Sequence, residues 1–319
     1  MSMTRQQFWQ LLAPGARKNF VEWQDFKYHE RQYEKFLNTE SSDKAYEDSI
    51  HFAGLPPMPT KTENAPVGYF NLIQGGSKRY VMQTYAMACR VSWELSEDDL
   101  YGVIAQAPKA IVKSGMFTKE QTCANVLNLG FSSTGTITDD GVSIYNNQHP
   151  LLGGVSATNI LPGASNVISA AGTYPNTPAV AADLSFTSLQ LMKQQFERMP
   201  DSQGLPIVAR PKLLIIPPEL EQIAIELLGS GGKPYTGDNE VNALQVLGLQ
   251  YTVNNYLTSP SAWFVNANKD EHRMLCFERA KMEDDMDDDF DTRATKFLAI
   301  TRFAVGADSW FGTWASNGA

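Results

Sequence analysis

The chain has 319 residues, with 26 Lys and Arg against 35 Asp and Glu for a formal charge of −9, and it is long enough for about two compact units. That acidic balance argues against binding nucleic acid through a basic face, while 43% hydrophobic and 19% charged residues exclude an intrinsically disordered chain. The longest strongly apolar stretch, around Leu213 to Pro218, falls far short of the roughly 20 residues that span a bilayer, so no membrane partner is expected.

The N-terminus, MSMTRQQFWQ, has no apolar run leading to a small-residue cleavage site, and synthesis and folding are expected in the cytosol. Phe8 to Phe36 is rich in aromatics, with Trp23, Phe26, Tyr33 and Leu37 on one helical stripe and Phe20, Val21 and Tyr28 on another side. Such a helix wants partners on more than one face, in its own domain or in another chain. Ser49 to Gly76 is full of turn formers, and Tyr85 to Leu95 then alternates as a half-buried strand; a strand this long after a loop of about 25 residues suggests an extended hairpin. Ser96 with Asp99, and Thr118 with Gln121, read as capping boxes, and Pro108 as an interruption, giving one broken helical spine that ends at Gly130. Asp139 to Gly154 reads as a short strand between turns, and residues 155 to 183 are rich in Ala, Gly, Asn, Thr and Pro. LSFTSLQLMKQQFERM reads as a helix, PKLLIIP as a buried strand and ELEQIAIELL as a helix, an α/β lobe, with closing strands at Trp263 to Val265, Arg273 to Phe277 and Thr295 to Val305.

Motifs for chemistry are scarce. His29, His51, His149 and His272 stand in no HExxH or other ligand spacing, and no Ser lies in GxSxG. Leu227 to Tyr235, LLGSGGKPY, lacks the first glycine of a phosphate loop and places Pro234 after its Lys; it reads as a helix stop. Cys89, Cys123 and Cys276 are far apart without a CxxC, so they read as small buried hydrophobes rather than a disulfide framework or a zinc site. The densest charge feature is Glu283 to Asp291, EDDMDDDFD, with seven carboxylates in nine residues. Neither register of an EF-hand fits it, and it reads as a solvated loop or as a docking surface for Lys or Arg of another chain. No catalytic, cofactor-binding or metal residue is assigned; a metal-dependent hydrolase using the acidic cluster is the outlying enzymatic alternative.

The series KAYEDSIHFAGL, GYFNLIQGGSKRYVMQTYAMACRVSWELSEDDLYGVI, DDGVSIYNNQHPLLGG, RPKLLIIPPELEQIAIELL and TRATKFLAITRFAVGADSWFG resembles, in that order, the major capsid proteins of tailed bacteriophages with the Hong Kong 97-like fold. The resemblance implies an α+β fold with an N-terminal arm (1–48), an E-loop hairpin (49–95), a peripheral domain with a spine helix (96–160), an axial domain (161–260) and a return to the peripheral sheet (261–319). It implies a shell subunit of the virion, assembled as hexamers and pentamers in the host bacterial cytoplasm around double-stranded DNA. The partners it implies are copies of the chain, a separate scaffold protein, a portal and a decoration or cement protein. An encapsulin-type compartment is the alternative within the same fold. Inter-subunit contacts are expected from Trp23, Phe26 and Tyr33 of the arm, from Tyr69, Phe70 and Ile73 of the hairpin, and from Glu283, Asp284, Asp285, Asp287, Asp288 and Asp289. Lys61 and Lys78 fall in the E-loop, without an assignable cross-link.

Overall fold

The computed structural model describes residues 31–55, 58–72, 74–98, 107–151, 173–232 and 241–318. In chain order the elements are α1 (Tyr33–Phe36), β1 (Asn38–Ser41), β2 (Tyr46–Phe52), β3 (Gln74–Val81), β4 (Gln83–Val91), α2 (Trp93–Glu97), α3 (Ala107–Asn128), β5 (His149–Pro150), β6 (Thr173–Tyr174), α4 (Phe186–Glu197), β7 (Leu213–Ile216), α5 (Glu221–Gly229), α6 (Ala243–Val246), β8 (Gln250–Val253), β9 (Trp263–Asn266), β10 (Met274–Asp288), β11 (Thr295–Ala307) and β12 (Thr313–Ser316).

The first sheet has the order β1-β10-β11-β4, with β1 parallel to β10 and the other pairs antiparallel. The second has the order β12-β9-β7-β8. Period-two alternation divides the second sheet between two cores. Ile215, Phe264 and Ala315 point into one core with Val126 and Leu127 of α3 and Met274 and Ala307 of the first sheet. Their neighbours Leu214, Ile216, Trp263, Val265 and Trp314 point the other way, onto Leu189, Met192 and Phe196 of α4 and Ala224 and Leu227 of α5. Ser185 begins α4 with a reciprocal cap, its side chain accepting from the Ser188 backbone while the Ser188 hydroxyl accepts from the Ser185 N–H.

Several expectations are corrected. From Ala107 to Asn128 the spine is one uninterrupted helix with Pro108 at its described start, and the expected stretch before Pro108 lies partly outside the described residues. Thr118 caps nothing, since its hydroxyl donates to the Ser114 carbonyl at 2.9 Å within that helix. The alternating strand after Thr84 is not a hairpin arm. β4 pairs along its length with β11 in the first sheet, and the arms of the hairpin are β2 and β3. The acidic run is mostly strand rather than loop, because β10 continues to Asp288 with Asp287 opposite Lys296. The chain end serves both sheets, β10 and β11 in the first and β9 and β12 in the second. His149 is a core histidine, fully buried, stacked on Trp310 at 4.7 Å with Nδ1 2.7 Å from Asp140 Oδ2.

Candidate functional site

The β2–β3 ribbon pairs Tyr46 with Val81, Asp48 with Arg79, Ile50 with Ser77 and Phe52 with Gln74. Alternation places Tyr46, Asp48, Ile50 and Phe52 on one face and Glu47, Ser49 and His51 on the other. The face turned to water is the apolar one: Tyr46, Ile50, Phe52 and Val81 are exposed, Phe52 by 74%. Arg79 forks onto Asp48 at 2.7 and 2.8 Å and lies 4.3 Å from the centre of the Tyr46 ring.

The face turned to the body carries Tyr80, buried against Met82, Leu275, Phe277 and Ala304, beside a polar group that converges on Asp308, whose side chain is 0% exposed. Ser49 Oγ donates to Asp308 Oδ2, and Arg273 Nε donates to the same oxygen at 2.9 Å. His51 Nε2 stands 3.0 Å from it, though the ring nitrogen is not aligned for a hydrogen bond, so the contact acts through charge. Lys78 Nζ donates to the Ile137 carbonyl at 2.7 Å. Burial opposes the Asp308 carboxylate, but His51, Ser49 and Arg273 together hold its pKa below the ordinary value. The His51 pKa is raised by that same contact with Asp308 against the effect of burial, and burial lowers that of Lys78. Gly76 makes the approach possible: a Cβ there would stand 2.2 Å from the Asp139 carbonyl oxygen.

Beyond the paired strands, the segment between β2 and β3 carries Met58, Val67, Tyr69, Phe70 and Leu72 in the open, Tyr69 by 97%, and among its described residues forms no strand. Tyr69 and Phe70 are exposed; Ile73 lies outside the described residues, as do Trp23 and Phe26.

Tyr33 corrects the reading of the arm. It is 5% exposed and belongs to the first core with Phe36 and Leu37, so it is not free to meet another subunit. Its backbone N–H and that of Gln32 donate to Glu120 at 3.1 and 3.0 Å, and the Lys119 ammonium lies 4.8 Å from the centre of its ring. Burial pushes the Glu120 carboxyl up to about 7 in spite of those two donors.

On the acidic strand, β1 covers only Leu275 to Glu278 of β10, so Glu283, Asp285 and Asp287 stand exposed beyond that cover. Asp284 and Asp288 are placed by register alone, opposite Ala299 and Thr295. Asp289 is engaged within its own sheet, 2.9 Å from Lys296 Nζ and 3.5 Å from Arg90. Among the described residues no group of three His, Cys, Asp or Glu side chains could hold a metal ion.

Sequence reasoning missed the Asp308 anchor and the Glu120 cap. The available signals were the Ser49-x-His51 spacing, which puts both side chains on one strand face, and the Gly75-Gly76 pair opposite them.

A family model described as phage capsid protein matches residues 76–316. Among solved structures, a chain from Mycobacterium phage Adephagia is similar with a TM-score of 0.57 at 10% identity, covering 99% of this chain and 98% of that one. A chain from Mycobacterium phage Patience gives 0.56 at 12% identity over 98% and 88%. The capsid of the native GTA particle gives 0.56 at 9% identity over 89% of both chains. No curated protein sequence matches the chain.

Proposed function

The chain belongs to the phage capsid protein family and is a major capsid protein with the Hong Kong 97-like fold, and from that premise we propose that it forms the hexamers and pentamers of an icosahedral head enclosing double-stranded DNA. The observation that carries the reading is the outer face of the ribbon. A monomer gains nothing from displaying Tyr46, Ile50, Phe52 and Val81, whereas a neighbouring subunit laid across that face removes the apolar area from water. In this assignment the ribbon with its tip is the E-loop, α3 the spine helix, the first sheet the peripheral domain and the second sheet with α4 and α5 the axial domain. Glu283 and Asp287 meet basic side chains of neighbouring copies, and Asp289 does not, being held by Lys296. A separate scaffold protein, a portal and a decoration protein complete the particle, which assembles in the host bacterial cytoplasm.

Electron microscopy of the chain expressed with its candidate scaffold tests this reading. Closed shells of uniform size that package double-stranded DNA are expected. Shells that hold a protein cargo and no DNA would support a compartment of the encapsulin type instead, and the absence of any closed shell would overturn both.

A further inference from the structure

The turn between β10 and β11 is braced from three sides, and it holds an aromatic ring in water. The Asp289 N–H donates to the Ala294 carbonyl at 3.0 Å, and Asp289 Oδ1 accepts from the Asp291 N–H at 3.2 Å. Lys296 and Arg90 hold Oδ2 of the same carboxylate at 2.9 and 3.5 Å, and Arg90 also donates to Thr292 Oγ1. At the crest Phe290 is 96% exposed, flanked by Asp289 and an exposed Asp291. The subunit gains nothing from a ring displayed there, whereas a turn already fixed lowers the ordering cost of a contact with another molecule.

A cavity of about 910 Å³ between α3 and β10 has the chemistry to receive it. Phe117, 51% exposed, and Tyr256 meet edge to face at 5.5 Å on its wall, beside Met116 and Met282. One extra residue of β10 between Ala280 and Glu283 breaks the strand's alternation, so that Lys281 and Met282 both line the cavity. Its basic side chains, Arg31, Lys113, Lys119 and Lys281, outnumber its acidic ones, Glu120 and Glu278. A second cavity, of about 550 Å³ at the foot of the β2–β3 ribbon, is lined by Asp139, Asp140 and Asp201 and would repel an acidic tip.

We propose that Phe290 of one copy seats in the cavity between α3 and β10 of a second copy, its ring against Phe117, Tyr256 and the two methionines and its acidic flank facing Lys281. The inference rests on the shell reading for its supply of neighbours, and it names the basic surface that the acidic strand meets. Charge selects the occupant. Tyr69 and Phe70 are also exposed, but no acidic residue adjoins them in the stretch Val67 to Leu72, so a basic mouth favours Phe290 over them. Length excludes the chain's own cavity: at roughly 3.3 Å per residue, the six residues from Met282 to the end of β10 already place the tip about 20 Å beyond it. Tip and cavity are unlike surfaces, so each copy can give one contact and receive one, which closes a ring.

The test replaces Phe290 by a benzophenone amino acid in the full chain, mixes isotopically light and heavy subunits before assembly with the candidate scaffold, irradiates, and maps the linked peptides by mass spectrometry. Links from position 290 of one isotope to peptides carrying Met116 and Phe117, or Met282, of the other are expected. Phe290→Ala should weaken association of copies about tenfold while leaving the unfolding midpoint of the subunit unchanged. Lys281→Glu should weaken association at low salt, and adding Asp291→Lys to it should restore part of the loss. Shells whose links fall elsewhere, or a normal shell yield from Phe290→Ala, would overturn this contact and leave the shell reading standing. Should no shell form, the same cross-link on the full chain concentrated at low salt decides the question. A link between copies at the cavity would keep the contact without the shell, and its absence would overturn the contact as well.

Discussion

Two antiparallel strand pairs of this subunit, β10–β11 within the first sheet and the β2–β3 ribbon, turn different surfaces to water. The β10–β11 ribbon is apolar at its root, where Met274, Cys276 and Ala307 join the first core and Tyr85 stacks on Phe303 at 4.8 Å, and it is acidic beyond the cover of β1. The β2–β3 ribbon meets the body through Tyr80, packed on Leu275, Phe277 and Ala304, and through the polar group around Asp308, while its outer face leaves Tyr46, Ile50, Phe52 and Val81 in the open. The first follows the ordinary rule for a protein in water. The second departs from it on its outer face, and that departure locates the surface that needs a neighbour: covering what remains open of Tyr46, Ile50, Phe52 and Val81 would contribute on the order of 1 kcal/mol each. Beside the packing of Tyr80, attachment of this ribbon draws on charge and hydrogen bonding, which respond to pH and to single substitutions.

The largest effect on the isolated subunit is expected from Asp308→Ala. It removes the acceptor shared by Ser49 and Arg273 and the charge facing His51, and since Arg273 is half exposed the cost is about 1–3 kcal/mol. Hydrogen exchange should accelerate in β2 and β3 while β7 and β9 stay protected. Uniform acceleration across both sheets would mean that the anchor supports the whole body rather than the ribbon. Gly76→Ala comes next: its Cβ meets the Asp139 carbonyl, and the backbone shift required costs roughly 1–3 kcal/mol, readable as a lowered denaturant midpoint.

The pH dependence follows from the two members of the anchor. His51 has a raised pKa when folded, so its contribution is complete below its unfolded value of 6.5 and is lost as pH climbs through the folded value. Asp308 has a lowered pKa, so its contribution is present above 3.8 and is lost as pH falls through the folded value. Ribbon attachment should therefore be strongest in mild acid and weaken above neutrality. Exchange protection of β2 and β3, corrected for intrinsic rates and followed from about pH 5 to pH 8, should fall in the natural chain and stay flat in His51→Gln. Protection that rises over that interval would contradict the assignment.

How far the sequence carries this comparison depends on the distance over which each interaction acts. The alternation from Tyr85 to Val91 identifies a strand, yet says nothing of its partner, and the partner is β11, some two hundred positions away. Thr118 and Gln121 have the spacing of a cap, but the same Thr hydroxyl is satisfied inside a helix by the carbonyl four residues back. Like charges in succession suggest a loop. In a strand, however, they alternate between faces and lie near 7 Å apart on each, where water screens them, so Glu283 to Asp288 can be strand. The anchor is least legible of all, because Ser49, His51, Arg273 and Asp308 meet only once the first sheet has formed. The helix at Phe186 and the strand at Leu213 were readable because local periodicity alone determines them.

The acidic ribbon should barely register in the subunit. Glu283→Gln with Asp287→Asn removes exposed charge, and a change within about 0.5 kcal/mol is expected in unfolding. Assembly at low salt should weaken, and the difference from the natural chain should shrink as salt is added. Asp289→Asn is the internal contrast: it loosens the contact to Lys296 and lowers stability slightly without a salt-dependent defect in assembly. Equal assembly by all three chains at low salt would remove the acidic strand from the interface.

The smallest effect on the free subunit, and the most telling one, belongs to the tip. Tyr69 and Phe70 touch too little of the chain's own body for Tyr69→Ser with Phe70→Ser to alter the unfolding midpoint, since exposed side chains contribute almost nothing to a fold that does not bury them. If a neighbour covers them in the particle, the same pair should reduce shell yield sharply, because two aromatic side chains are lost from the interface. Hydrogen exchange on natural subunit and shell completes the argument. The residues from Thr60 to Leu72 should exchange quickly in the subunit, where they form no strand, and slowly in the shell. Equal protection in both states, or shells formed normally by the serine variant, would place the contact elsewhere, on the Tyr46–Phe52 face of the ribbon alone, and would separate the two apolar surfaces that the shell reading treats as one.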